Sequence, residues 1–94
     1  MTDRRQTRRL VVRGRVQGVG FRYATVAAAG RFGVTGWVRN RRDGSVEAVV
    51  HGTVEAVEAM VAWTRRGPDA ATVESVEVSE AEGEFAAFEA RPTV

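Results

Sequence analysis

The order in which two hydrophobic periods follow one another constrains this chain more than any other feature of its sequence. Valine-rich runs with period-two alternation predict strands over 7–14 (TRRLVVRG), 34–40 (VTGWVRN), 45–52 (SVEAVVHG) and 71–80 (ATVESVEVSE). Between the first two, Phe21, Thr25, Ala28 and Phe32 recur at i, i+4, i+7 and i+11. That spacing predicts a helix over 21–31 that stops at Gly33. Between the last two, Val54, Val57, Met60, Val61 and Trp63 share one side of a second helix, and Glu55, Glu58 and Arg65 share the other. Thr53 is its expected cap and Gly67-Pro68 its stop. Asp43-Gly44 is a hairpin signal between the second and third strands. On the third strand Val46, Ala48 and Val50 take one face, and Glu47, Val49 and His51 the other. EFAAFEARP adds a short fifth strand or an edge extension.

Strand, helix, strand, strand, helix, strand is the split βαβ order. It predicts an α+β, βαββαβ sandwich with two helices on one face of an antiparallel sheet. At 94 residues the chain is one domain. The expected division is a flexible basic tail over 1–6 and the folded domain over 7–94. Many unrelated functions use this order, so function has to be read from a site.

Composition removes several function classes. With 44% hydrophobic and 28% charged residues the chain is globular rather than disordered. It has no cysteine, which excludes disulfides, thiolate metal sites and a cysteine nucleophile. No apolar run approaches the roughly 18 residues of a membrane span, and the N-terminal MTDRRQTRR lacks a secretion signal. A cytoplasmic monomer with no membrane partner is the expectation. His51 is the one histidine and has no carboxylates near it at metal-ligand spacing, so no metal, no cofactor and no histidine-based triad are expected. Most glutamates fall on outer faces of helices and strands and read as solvated. All fourteen basic residues are arginine, which raises the pI to about 10.4 at a net charge of only +2. Arginine stays charged at any working pH, and its planar fork suits carboxylate and phosphate.

The remaining candidate is the stretch GRVQGVGFRY, Gly14 to Tyr23, where the alternation stops. Glycines at 14, 18 and 20 leave backbone N–H groups unobstructed. A helix starting at Phe21 adds free amides and the positive end of its dipole. Such a loop is either a tight strand-to-helix turn or an anion cradle suited to phosphate, with Arg22 at the helix start in reach of the same anion. It has neither the G-K-[ST] of a Walker loop nor the acidic partner of a dinucleotide fingerprint.

GRVQGVGFR, followed by GWVRN, then DGSVE, and GP after the second helix, resembles the acylphosphatase family, and the likeness runs from about residue 8 to residue 91. The resemblance implies a ferredoxin-like fold and hydrolysis of a carboxylic–phosphoric anhydride by a directly attacking water, without metal. It implies that Arg15, Val16, Gln17, Gly18, Val19, Gly20 and Phe21 form the phosphate-binding loop. Arg22 would hold the phosphoryl group and Asn40, closing GWVRN, would position the water. Inorganic phosphate and sulfate are then expected as competitive ligands. The family often has a small hydroxyl residue directly after the asparagine; this chain has Arg41 there and keeps a hydroxyl at Ser45, the expected support for Asn40. Arg39, Arg41 and Arg42 are expected to add positive potential at the mouth.

Two other readings belong to other classes. RNA-recognition domains share this element order but stack bases on aromatics of their central strands. The third strand here has none, and Trp37 stands alone on the second, so no nucleic-acid partner is expected. A non-catalytic domain of the same family would not need both Arg22 and Asn40.

Overall fold

The computed structural model describes residues 4–94. Five strands and two helices follow one another: β1 (Arg5–Arg15), α1 (Phe21–Phe32), β2 (Thr35–Asn40), β3 (Val46–Thr53), α2 (Val54–Arg66), β4 (Thr72–Glu80) and β5 (Phe88–Arg91). They form one sheet in the order β4-β1-β3-β2-β5.

The expected α+β architecture is present, with one correction to the sheet. β5 runs parallel to β2, pairing Gly36 with Phe88 and Val38 with Ala90, so the sheet is mixed rather than antiparallel. The other pairs, β1–β3, β1–β4 and β2–β3, are antiparallel. β1 also begins two residues earlier than expected, because Arg5 and Gln6 pair with Thr53 and Gly52; of the expected tail, residues 1–3 lie outside the described residues. At its other end β1 passes Gly14 through a register shift and continues to Arg15, opposite Thr72.

The period-two pattern decides what the sheet buries. Leu10, Val12, Val38, Val46, Ala48, Val50 and Val76 point to the helical side and form the core with Phe21, Ala28 and Ala29 of α1 and Val57 and Met60 of α2. Thr25 and Thr64 are buried among them; each hydroxyl donates to the carbonyl one turn back, Phe21 at 2.7 Å and Met60 at 2.8 Å, so neither is an unpaired polar group. Thr64 replaces part of the expected apolar stripe of α2, where Val54, Val61 and Trp63 are only half-buried. The Thr53 hydroxyl caps α2 by accepting from the Ala56 N–H at 3.1 Å.

The open face of the sheet holds an ion-pair cluster that outward alternation does not announce. Glu47 is buried, its side chain 7% exposed, between Arg9 at 2.6 Å and Arg39 at 2.8 Å. Burial pushes its carboxyl up, and the hydrogen bonds from Arg9 and Arg39 overcome this and hold it below its ordinary value. Arg39 and Arg91 both lie over the Trp37 ring, at 4.6 and 5.0 Å. This corrects the solvated reading for Glu47. Arg39 likewise serves this cluster rather than the mouth of the loop.

Candidate active site

Residues 16–20 leave β1 and enter α1 as an irregular turn. Gly18 and Gly20 adopt φ of 75° and 77°, the left-handed region in which a side chain is strained, and this lets the chain reverse within five residues. Gly20 is the N-cap of α1, and the first helical bond runs from the Ala24 N–H to its carbonyl at 3.0 Å. The N–H groups of residues 17–20 donate to no other backbone group among the described residues. The loop therefore presents free amides beside the positive end of a twelve-residue helix.

A cavity of about 130 Å³ lies against this loop, lined by Val16, Gln17, Gly18, Gly20, Phe21, Arg22, Tyr23 and Asn40. At about 30 Å³ per liquid water, it has room for about four waters, or for one tetrahedral anion with a water beside it. Arg22 is half-buried and makes a single long contact, Nη1 to the Arg91 carbonyl at 3.4 Å. It has no carboxylate partner among the described residues, so most of its donors remain available to a ligand. Asn40 closes β2 opposite Val46, and its carbonyl accepts from the Val94 N–H at 3.2 Å, which fixes the backbone that carries its side chain.

Gln17 joins the two halves of the site. Its Nε2 donates to the carbonyls of Arg41 at 2.7 Å and Ser45 at 2.8 Å, the two ends of the β2–β3 hairpin. The Arg41 N–H in turn donates to the Ser45 carbonyl at 2.9 Å. The loop and the strand end bearing Asn40 are thereby held together by a side chain whose two N–H donors are both used.

The structure thus brings Arg22, Asn40 and most of the expected loop to one cavity. Arg15 and Val19 do not line it: Arg15 is exposed at the end of β1, and Val19 packs against the core. Ser45 is buried, and its hydroxyl donates to Asp43 at 2.6 Å, so it shapes the hairpin turn rather than reaching Asn40 as a hydroxyl partner. That hydroxyl, the Ser45 N–H, Arg41 and Arg13 together hold the Asp43 carboxyl below its ordinary range. Arg41 lies 3.8 Å from Asp43, so part of its charge is offset there. Sequence reasoning missed Gln17 as a clamp and Tyr23 as a lining residue. The only signal for Tyr23 was a large aromatic in the first turn of a helix at a loop, and it is 88% exposed. A larger cleft of about 540 Å³ lies elsewhere, between α1 and the end of α2, and contains neither Arg22 nor Asn40.

No group of three or more metal-ligating side chains occurs among the described residues. Free amides, one arginine without a carboxylate partner and one neutral amide around a small cavity place the chain among α+β domains whose site suits a phosphoryl group. Comparison with known proteins gives the family. The acylphosphatase family model matches residues 8–90. The chain is 56% identical over 91 residues to an acylphosphatase of Cupriavidus necator, covering 97% of this chain and 99% of that one. It is 59% identical over 86 residues to one from Thiobacillus denitrificans, covering 92% and 97%. Among solved structures, an acylphosphatase from Coxiella burnetii superposes with a TM-score of 0.90 at 31% identity and 94% coverage of both chains. The chain belongs to the acylphosphatase family.

Proposed function

We propose that the protein hydrolyses acyl phosphates to a carboxylate and inorganic phosphate at the cavity between the 16–20 loop and Asn40. The loop amides and the Arg22 fork hold the phosphoryl oxygens, and Asn40 orients the attacking water. An amide suits that task because it accepts from and donates to water without titrating. The new bond joins the water oxygen to phosphorus as the bond from phosphorus to the acyl oxygen breaks. The carboxylate leaves with the electron pair, and the proton passes to phosphate or to solvent.

A carboxylate is a good leaving group, so positioning and charge stabilisation suffice and no strong base is needed. The observation that carries the reading is that Arg22, Asn40 and the loop border one cavity of about 130 Å³. The site is complete within one chain, which supports activity as a monomer. Inorganic phosphate and sulfate, which reproduce the tetrahedral oxyanion, act as competitive ligands. No metal takes part, and no helix among the described residues is long and apolar enough to cross a membrane.

The test is a pair of variants assayed on benzoyl phosphate with and without chelator. Asn40→Ala lowers kcat by about a hundredfold or more and leaves the phosphate inhibition constant nearly unchanged, because phosphate binding does not use the water. Arg22→Ala weakens both. Equal loss of phosphate affinity in the two variants would place Asn40 in the cradle, and loss of wild-type activity to chelator would overturn the metal-free reading.

A further inference from the structure

The cleft of about 540 Å³ between α1 and the end of α2 is lined by Ala24, Ala27 and Arg31 on one side and by Trp63, Arg66 and Asp69 on the other. None of these residues borders the cavity beside the 16–20 loop. We propose that this cleft binds a planar aromatic polyanion, with its ring against Trp63 and its negative groups on Arg31 and Arg66. The site uses neither Arg22 nor Asn40 and is separate from the hydrolytic reading of the loop cavity.

Three observations carry it. The first is a pair of unengaged arginines. Arg31 and Arg66 are exposed, and neither donates a side-chain hydrogen bond or forms an ion pair among the described residues. The Arg31 guanidinium lies 5.7 Å from the centre of the Phe32 ring. Asp69 is the one acid in the lining, and it forms no ion pair among the described residues either. Two forks against one carboxylate leave the cleft positive, and each fork offers planar, paired donors that suit carboxylate or phosphate.

The second is where the two forks stand. The end of α2 lies beside the start of α1: the Phe21 and Trp63 rings meet edge to face at 5.9 Å, and a Cβ on Gly67 would lie 3.0 Å from the Phe21 ring. Arg66 therefore enters the cleft near the first turn of α1, and Arg31 enters it at the last. At 1.5 Å per residue the rise from Phe21 to Arg31 is about 15 Å, so the two charges come from opposite ends of the cleft. An elongated polyanion meets both.

The third is the surface between the charges. Ala24 and Ala27 end at Cβ, so α1 presents a low wall there. Trp63 lines the cleft opposite it, half-buried. A ring laid against this indole covers apolar surface that the chain leaves in water and gains an aromatic contact. The volume of about 540 Å³ falls within the range of roughly 300–1,000 Å³ usual for small-molecule sites. Nucleoside polyphosphates and aromatic dicarboxylates share this ligand chemistry.

The experiment follows the Trp63 indole N–H by proton–nitrogen correlation NMR while ATP, terephthalate, adenosine and tripolyphosphate are added in separate titrations. The Trp37 indole, held between Arg39 and Arg91 on the open face of the sheet, is the internal reference. At least one of the two ring-bearing polyanions shifts the Trp63 signal saturably, and the tighter of them identifies the source. Adenosine has the ring without the charge and tripolyphosphate the charge without the ring, and both bind more weakly. Arg31, Arg66 and Ala27 are exposed helix positions, so substitutions there keep the fold, which circular dichroism checks. Arg31→Ala and Arg66→Ala each raise the Kd about threefold, within the range of an exposed charge pair. Ala27→Glu sets a carboxylate one turn before Arg31, where it engages that fork, and weakens binding as well. Arg22→Ala leaves the Kd unchanged. The proposal is overturned if neither polyanion shifts Trp63 more than Trp37, or if adenosine or tripolyphosphate binds as tightly as both. It is also overturned if Arg31→Ala and Arg66→Ala leave the Kd at its wild-type value, or if Arg22→Ala weakens binding as much as they do.

Discussion

The Gln17 side-chain nitrogen donates to the Ser45 carbonyl at 2.8 Å, and from that one atom the 16–20 loop is tied to the hairpin that carries Asn40. Removing the clamp should loosen the loop relative to the asparagine without removing a group that touches substrate. Gln17→Ala is expected to lower kcat about tenfold or more, since small misplacements are costly in a preorganised site. Gln17→Glu should be worse, because a carboxylate cannot donate to two carbonyls. Steady-state kinetics on both variants, with the fold checked by near-ultraviolet circular dichroism, tests this; unchanged kcat in Gln17→Glu would show that the clamp is irrelevant.

Arg22→Lys separates charge from geometry. Lysine keeps the positive charge but loses the planar fork. Loss of one preorganised contact typically removes about 3–4 kcal/mol of transition-state stabilisation, so Arg22→Lys is expected to stay more than a hundredfold below wild type. A variant retaining over a tenth of wild-type kcat/KM would mean that a point charge suffices, since tenfold is only about 1.4 kcal/mol.

Gly20 caps α1 at φ 77°, and a Cβ there would meet no protein atom within 4 Å. The demand on this position is conformational rather than one of space. Gly20→Ala should therefore destabilise the protein by about 1–2 kcal/mol, the cost of a left-handed non-glycine residue. Gly20→Asn should recover part of that, because asparagine tolerates this region. Urea denaturation of the two variants decides; an alanine variant as stable as wild type would contradict the cap geometry.

Glu47 links stability to acid. Its carboxyl is held below the ordinary value in the folded chain, so the unfolded chain binds the proton first as pH falls. The contribution of Glu47 is present in full above the unfolded value of about 4.3 and is lost as pH drops through the folded value. Glu47→Gln is expected to cost about 1.5–3 kcal/mol at pH 7, the range for hydrogen bonds to charged groups. The gap between variant and wild type should be constant above the unfolded value of about 4.3 and narrow progressively as pH falls below it. Thermal melts across pH 3–7 measure it, and a gap that stays constant would remove the Arg9–Glu47–Arg39 cluster as its source.

Element order was legible in the chain because each element follows from local spacing. The valines of β1 and β3, the i, i+4, i+7 apolar face of α1, the Thr53 cap and the Asp43-Gly44 turn all act over a few residues. The glycines around Gln17 marked the loop for the same reason, since left-handed backbone is a single-residue property. Long-range pairing was not legible. Nothing local tells β5 to lie parallel to β2, because that choice depends on which sheet edge is left open once β1, β3 and β4 have paired. Nor does alternation distinguish an outward glutamate in water from Glu47, which two arginines from neighbouring strands enclose. Most of the residues that line the cavity stand within one short stretch, so the sequence determined the loop that borders it. Asn40 reaches that loop only across strands, through the Gln17 clamp. Distances between segments far apart in sequence are set by the packing of helices on the sheet, and that the tertiary structure alone decided.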